Sequence, residues 1–137
     1  MIVVDTHVLV WAVEGNPRLG RTALSRLEDS TDAGSVLLAA ISLWEIAMLV
    51  EKGRLQLDGS IDRWFERVVA LPSLRLVPLD ARIAIESVRL PGSFHADPAD
   101  RMIVATARAL RCPLMTADGA ILAYSHSGHV DTIDAQS

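Results

Sequence analysis

Cysteine, lysine and long apolar runs are all scarce in this sequence of 137 residues. Cys112 is the only cysteine, so no disulfide can form within the chain, and a reducing compartment such as the cytoplasm is expected. No apolar run approaches the roughly 20 residues that a transmembrane helix needs. No basic segment precedes the first apolar run, so no signal peptide is expected. The length of 137 residues predicts a single domain over residues 1–137, and the lack of long apolar runs predicts that it lies away from the membrane.

Positive charge is not in excess either. The formal net charge is −4, and Lys52 is the only lysine among 13 basic residues. A chain of this balance lacks the general basic surface of many nucleic-acid-binding domains. The lack of a basic surface does not exclude nucleic acid as a ligand, however, because carboxylates that hold a divalent cation form a site that attracts phosphate.

What the sequence does contain is a regular alternation of short apolar runs with helical patterns. Apolar runs without polar alternation are typical of parallel strands that are covered on both faces. We predict such strands at 2–4, 35–40, 74–77 and 113–116, with a fifth edge strand at 129–133. Helical periods fill most of the intervening segments. The predicted fold is an α/β/α sandwich with a central, mostly parallel sheet of four to five strands.

The segment 95–107 organises the rest of the chain. Its first half is acidic and turn-like, and its second half is apolar with no glycine or proline to end a helix. Pro98 suits the first helical position, which places Asp97 at the N-cap and Asp100 in the first turn. The helical period predicts three arginines on the exposed face: Arg101, Arg108 and Arg111.

Three more acids occupy comparable positions in the chain. Asp5 and Asp118 follow predicted strands directly, and Glu45 lies in the turn after another strand, where Ser42 and Glu45 form a capping-box pattern. Carboxyl ends of parallel strands meet at one edge of a sheet, where ligands bind. Each acid also has a purely structural interpretation, because an acid at a helix N-terminus contributes about 0.3–1 kcal/mol without any function.

Convergence of these acids would require a counter-charge. Two carboxylates about 4 Å apart repel by roughly 4 kcal/mol at an effective dielectric near 20. A divalent cation removes that repulsion. Because the candidate ligands are oxygens and no cysteine and histidine cluster is present, the ion indicated is Mg²⁺ or Mn²⁺ rather than zinc.

Four motifs follow one another along the chain: Asp5-Thr6-His7, Trp44-Glu45-Ile46-Ala47 with Lys52-Gly53-Arg54-Leu55, His95-Ala96-Asp97-Pro98-Ala99-Asp100-Arg101, and Leu114-Met115-Thr116-Ala117-Asp118. In this order they resemble the PIN-domain family. More narrowly, they resemble the VapC-type ribonuclease toxins of bacterial type II toxin–antitoxin pairs. The resemblance runs from residue 2 to about residue 124, which covers nearly the whole predicted domain.

The resemblance implies four acids that bind the metal and act in catalysis: Asp5, Glu45, Asp100 and Asp118. It also implies that the Thr6 hydroxyl supports the site, and that Thr116 orients the fourth acid. Asp97 matches a position that is acidic in this subgroup, so it is either a further ligand or only the N-cap. The number of metal ions stays open.

The activity implied is Mg²⁺-dependent cleavage of RNA by an activated water, which leaves a 5′-phosphate and a 3′-hydroxyl. No protein nucleophile is evident, because the serines lack a base at triad spacing. Arg101 and His95 are the candidate contacts to the RNA substrate.

The resemblance further implies a VapB-type antitoxin as partner. Such an antitoxin places an amphipathic segment in a hydrophobic groove, for which Trp44, Met48 and Trp64 are the candidates. A homodimer and a toxin–antitoxin hetero-oligomer are expected on the same grounds.

Two alternatives stay open from the residues themselves. An aspartyl phosphotransferase of haloacid-dehalogenase type also places an aspartate after the first strand with Mg²⁺, although it needs a second aspartate where this chain has His7. The other alternative is a non-catalytic module whose carboxylates only bind metal or cap helices.

Overall fold

The computed structural model describes all residues from 1 to 137. Five strands form the centre: β1 (Ile2–Val4), β2 (Val36–Ala39), β3 (Leu74–Val77), β4 (Leu114–Thr116) and β5 (Thr132–Asp134). Seven helices surround them: α1 (Thr6–Glu14), α2 (Arg21–Asp32), α3 (Ile41–Glu51), α4 (Ile61–Val69), α5 (Ala81–Val88), α6 (Pro98–Leu110) and α7 (Gly119–His126). None of these helices has the length and hydrophobicity needed to cross a bilayer.

The strands form one sheet in the order β3-β2-β1-β4-β5, and every neighbouring pair is parallel. The predicted sandwich is therefore confirmed, with all five predicted strands present and the last one at an edge. Because β1 is central, the residue that follows it, Asp5, lies in the middle of the carboxyl edge. β2 and β4 flank it and bring their own following segments to the same edge.

The three inner strands, β2, β1 and β4, are buried on both faces, which explains their unbroken apolar runs. Val4, Leu38 and Met115 pack into one core together with helices α1 to α4. Their strand neighbours, such as Val3 and Leu114, point the other way into a second core with α5 to α7. The two cores fix the strand register from both sides, and this register holds the segments at the carboxyl edge in place.

The predicted capping box at the start of α3 is wrong. The helix begins at Ile41, one residue before the predicted N-cap, and Ala40 precedes it in helical conformation with no side-chain cap. The chain passes from β2 into α3 so directly that no residue is free to cap the helix. Ser42 is instead buried, and its hydroxyl oxygen accepts a hydrogen bond from the Thr6 hydroxyl at 3.0 Å.

Trp64 also departs from its predicted place. Its side chain is fully buried in the first core, where it packs beside Val68 of the same helix. The strongly amphipathic pattern of α4 turns this large apolar residue toward the sheet. Trp64 therefore cannot line a surface groove.

Candidate active site

Asp5 joins β1 to α1 and is almost completely buried, with 7% of its surface exposed. One carboxylate oxygen accepts the backbone N–H of Thr6 at 2.8 Å, which caps α1. The other accepts the hydroxyl of Thr116 at 2.6 Å. Two hydrogen bonds thus fix the orientation of this carboxylate on the end of the central strand.

Thr116, the last residue of β4, connects two acids. Its hydroxyl donates to Asp5, and its oxygen accepts the backbone N–H of Asp118 at 3.0 Å. Asp118 in turn caps α7, because its Oδ1 accepts the N–H groups of Ala120 and Ile121. The bond to Asp5 had no signal in the sequence, since the two residues are 111 positions apart.

The start of α6 supplies two further acids, as predicted. Asp97 is the N-cap and accepts the backbone N–H of Asp100 at 3.0 Å, with Pro98 in the first turn. Ligand atoms of Glu45, Asp97 and Asp100 all lie within 4.8 Å of one another. A second group within the same limit contains His95, Asp100 and Asp118. Asp100 is common to both groups.

Asp5 belongs to neither of these groups of three, although it was predicted to share an ion with Glu45 and Asp100. It lines the same cavity, of about 520 Å³, as all the other acids. The structure therefore brings the predicted acids to one place but centres the closest contacts on Asp100. The lining also contains two motif residues that were given no role at the site, His7 and Ala117, and three residues outside the motifs, Trp11, Arg18 and Gln136.

The cavity contains five carboxylates: Asp5, Glu45, Asp97, Asp100 and Asp118. No lysine or arginine nitrogen lies within 4.0 Å of any of their oxygens. The one basic group at that distance is His95, whose Nε2 is 3.2 Å from Asp100 Oδ2. The protein itself thus leaves most of the negative charge in this cavity uncompensated.

The electrostatic cost of this arrangement is visible in the pKa values. Burial, together with the charges of the surrounding acids, raises the pKa of Asp100 from 3.8 to about 7. Burial also raises the pKa of Glu45, and the nearby Thr6 hydroxyl opposes the rise. Burial raises the pKa of Asp5 in spite of its hydrogen bond from Thr116. All three shifts disfavour the ionised form in the absence of a counter-charge.

These features fit a divalent cation. Carboxylate oxygens from separate elements lie close enough to share one ion, and such a hard donor set suits Mg²⁺ or Mn²⁺. A bound cation would also favour the ionised form of acids whose pKa values are raised. The acidic groups can therefore hold a metal ion, with Asp100 as their shared member.

Thr6 also supports this site, although it is not one of the residues that line the cavity. It is fully buried, and its hydroxyl donates to Ser42 of α3. The bond ties the first turn of α1 to the first turn of α3, which carries Glu45. Sequence reasoning missed Ser42 as a partner because it explained that residue as a helix cap.

The prediction that Arg101 lies on an exposed face is wrong. The residue is half-buried, and its guanidinium donates to three backbone carbonyls, those of Ser87 at 2.8 Å, Phe94 at 2.9 Å and His95 at 3.0 Å. Phe94 stacks on the His95 ring with centroids 4.3 Å apart. Arg101 therefore fastens the segment between α5 and α6, and with it the histidine that contacts Asp100.

The predicted groove residues separate into two groups. Trp44 is 58% exposed, and with Met48 it lines a cavity of about 270 Å³ that also includes Glu45 and Asp97. Trp64 is excluded by its burial in the core. An apolar surface thus adjoins the acids directly on the α3 side.

Known proteins with the same architecture place these observations in context. FitAcB from Neisseria gonorrhoeae superposes with a TM-score of 0.69 at 23% identity, covering 98% of this chain and 98% of that one. VapBC2 from Rickettsia felis, bound to a DNA fragment from its promoter, superposes with a TM-score of 0.68 at 17% identity, covering 97% of this chain and 98% of that one. At such identities the likeness establishes the fold.

Sequence similarity goes further. Ribonuclease VapC22 of Mycobacterium tuberculosis is 34% identical over 125 residues, which is 91% of this chain and 92% of that protein. The model of the PIN domain family matches residues 2–126, a span that contains every acid of the cavity. The chain belongs to the PIN-domain family and is a homologue of the VapC ribonucleases.

Proposed function

We propose that this protein is a Mg²⁺- or Mn²⁺-dependent endoribonuclease of the VapC type, acting as the toxin of a toxin–antitoxin pair. One observation carries the proposal: five carboxylates line a single cavity with no lysine or arginine in ion-pair contact. The homology to a VapC ribonuclease supplies the substrate class, RNA. We expect the protein to act in the cytoplasm, where RNA is present.

Four acids are assigned to metal binding and catalysis: Asp5, Glu45, Asp100 and Asp118. Asp97 caps α6 and also lies close enough to Glu45 and Asp100 to bind the same metal ion as a further ligand. When bound, the metal supplies an activated water and neutralises charge on the phosphate. Thr116 and the first turn of α1 keep the Asp5 carboxylate fixed on the strand end.

The two alternative functions are weaker on these observations. A phosphotransferase of haloacid-dehalogenase type has a second aspartate two residues after its aspartate nucleophile, which would be Asp5 in this chain. Its second aspartate is replaced by His7, which is exposed. A non-catalytic metal-binding module would have the same arrangement of acids. Only a measurement of RNA cleavage distinguishes it from a nuclease.

The test is cleavage of total RNA by the purified chain with EDTA, Mg²⁺, Mn²⁺ or Ca²⁺, followed by mapping of the new ends. Cleavage with Mg²⁺ or Mn²⁺ that leaves 5′-phosphates is expected, and Glu45→Gln should abolish it. Glu51→Gln is the matched control, since Glu51 is exposed at the end of the same helix. Metal binding without cleavage at any protein concentration would favour the non-catalytic module instead.

We further propose that Trp44 and Met48 contact a VapB-type antitoxin. Their apolar cavity adjoins Glu45 and Asp97. An antitoxin segment can therefore pack apolar side chains against Trp44 and Met48 and place one basic side chain next to the acids. Trp44→Glu should weaken binding of the cognate antitoxin, while Val69→Glu on exposed α4 surface should not. Equal affinity of both variants for the antitoxin would place its binding site elsewhere.

A homodimer is also proposed, through α5. This helix exposes Ile85 and Val88, and Val88 is 74% exposed, which is the largest value among the big apolar residues. Val88→Glu should convert a dimer to a monomer in light-scattering measurements. If the Val88→Glu variant has the same mass in solution as the parent dimer, α5 is not part of the dimer interface.

A further inference from the structure

The cavity that holds the acids contains one arginine. Arg18 lies in the segment between α1 and α2, outside every motif that carries the family resemblance. It lines the cavity together with all five carboxylates, yet it makes no ion pair with any of them. A strongly charged group is therefore present at the site without a protein partner.

The base of this arginine is held firmly. The Arg18 backbone N–H donates to the Asn16 side chain at 2.9 Å, and the N–H of Leu19 donates to the Asn16 carbonyl at 3.1 Å. The N–H of Gly20 donates to the carbonyl of Ala135 at 2.9 Å, which fastens the segment to the residues after β5. A Cβ at Gly20 would lie 2.0 Å from a backbone oxygen of Ser137, so this close approach requires glycine.

The tip of the side chain is free. The guanidinium makes no hydrogen bond or ion pair within the chain, and its carbon lies 6.0 Å from the centroid of the Trp11 ring. A cation over an aromatic ring is weakly oriented by it and retains all five N–H donors. Trp11 itself is almost completely buried, so the platform under the guanidinium is rigid.

We propose that Arg18 binds a backbone phosphate of the RNA adjoining the bond that is cut, while the carboxylates of the same cavity hold the metal. The inference rests on the proposed ribonuclease function and assigns a substrate contact besides Arg101, whose guanidinium already donates to three backbone carbonyls. A guanidinium matches two phosphate oxygens at once, and its attraction to the strand offsets repulsion by the acids.

The other lining residues suit a single strand. His7 is exposed, and its ring lies 6.5 Å from that of Trp11. Gln136 is exposed on the same cavity and offers both a donor and an acceptor. Unpaired bases stack on rings and guanidinium planes, and their edges pair with amides, so the cavity favours single-stranded RNA over a duplex.

The test compares Arg18→Gln with Arg26→Gln, which removes the same charge from an exposed position on α2 outside the cavity. Cleavage of a single-stranded RNA oligonucleotide is measured with Mg²⁺ at several salt concentrations. Arg18→Gln should raise KM by roughly tenfold, the effect of losing a charged hydrogen bond, with little change in kcat. The slope of log KM against log salt should fall by about 0.7, as expected for one lost phosphate contact on a single strand.

Three further measurements make the outcome decisive. Arg18→Lys should recover part of the affinity and the full salt slope, because it restores the charge without the bidentate geometry. Melting temperatures should match the parent, since the side chain is exposed. Fluorescence anisotropy with uncut RNA is measured on Asp100→Asn, with and without Arg18→Gln.

If Arg18→Gln and Arg26→Gln have the same KM and salt slope, the inference is overturned even though RNA is cut. If no RNA is cut but anisotropy still shows binding that depends on Arg18, the proposed nuclease function fails and the phosphate contact stands. The two proposals therefore fail in different ways.

Discussion

The two ends of α6 handle charge in opposite ways. Near the C-terminal end, Arg108 contacts Glu86 at 2.5 Å and also donates to the carbonyl of His129. At the N-terminal end, Asp97 and Asp100 face Glu45 with no lysine or arginine in contact. One helix thus has an internal ion pair at one end, the paired end, whereas at the other, the unpaired end, His95 beside Asp100 is the only basic group in contact with its acids.

The helix itself does not explain the difference. A helix N-terminus stabilises an acid by about 0.3–1 kcal/mol, whereas two nearby carboxylates repel by roughly 4 kcal/mol. The unpaired end is therefore stable only with a cation from solution or with some acids protonated. The contrast separates a structural ion pair from a site built for a ligand.

The largest effect should come from removing charge at the unpaired end. Asp100→Asn takes away the acid common to both metal-ligand groups, so RNA cleavage should fall by more than about a hundredfold, beyond the loss typical of outer-shell residues. Glu86→Gln changes an acid at the paired end and should leave the cleavage rate near that of the parent. Initial cleavage rates at saturating Mg²⁺ measure the effect of each variant. Similar losses of rate in the two variants would show that the two ends of α6 do not differ in function.

A second prediction concerns pH. The folded pKa of Asp100 is about 7, above its ordinary 3.8. Its contribution to stability is thus present below about pH 4 and is lost as pH rises through 7. In EDTA, the melting temperature should fall between pH 5 and pH 8 more steeply in the parent than in Asp100→Asn.

Added Mg²⁺ should reverse most of that loss at pH 8, because it binds the ionised acids of the folded chain. The paired end supplies the control here too. Glu86→Gln should retain the full pH dependence and the full response to Mg²⁺. Identical melting profiles for the parent and Asp100→Asn would show that the acids do not strain the metal-free fold.

Arg101, also on α6, tests whether support of the acidic end affects metal binding. It supports the segment that carries His95, so Arg101→Gln should weaken Mn²⁺ binding and lower the cleavage rate by roughly tenfold, as other supporting residues of metal sites do. Because its guanidinium donates to three backbone carbonyls, we expect it to make no phosphate contact, so the salt dependence of KM should stay unchanged. Titration of Mn²⁺ by electron paramagnetic resonance reports the binding directly, and Arg111→Gln, exposed after α6, is the control. A reduced salt slope would return Arg101 to the substrate contacts.

The smallest effect is expected at the paired end. Arg108→Gln leaves Glu86 without its partner, and both side chains retain about a quarter to a third of their exposure, at 26% and 31%. Solvent screening limits the loss in unfolding free energy to about 1 kcal/mol. Urea denaturation measures it, with Arg82→Gln as the exposed control on α5. RNA cleavage should not change.

What the sequence predicted well was local. Asp97, Pro98 and Asp100 lie within four positions, so helix-capping chemistry alone places them correctly. The three inner strands were predicted because parallel strands covered on both faces leave continuous apolar runs. The acids were brought to one edge by topology, which follows from the order of those elements.

What the sequence did not predict depends on contacts between distant segments. The bond from Thr116 to Asp5 and that from Thr6 to Ser42 join different elements and leave no periodic signal. Arg101 was placed outside because helical period alone cannot show that a neighbouring segment covers it. Arg18 belongs to no motif, and only the folded cavity brings it near the acids.

The central position of β1 has a consequence for synthesis of the protein. Its neighbours in the sheet are β2 and β4, which begin at residues 36 and 114. β1 therefore cannot pair with β4 until the ribosome has passed residue 114. A chain synthesised only as far as residue 113 therefore contains β1 and β2 but neither β4 nor Asp118. The cavity that collects the five acids can thus form only after β4 and Asp118 have been synthesised, so the order of synthesis makes this site one of the last parts of the sheet edge to assemble.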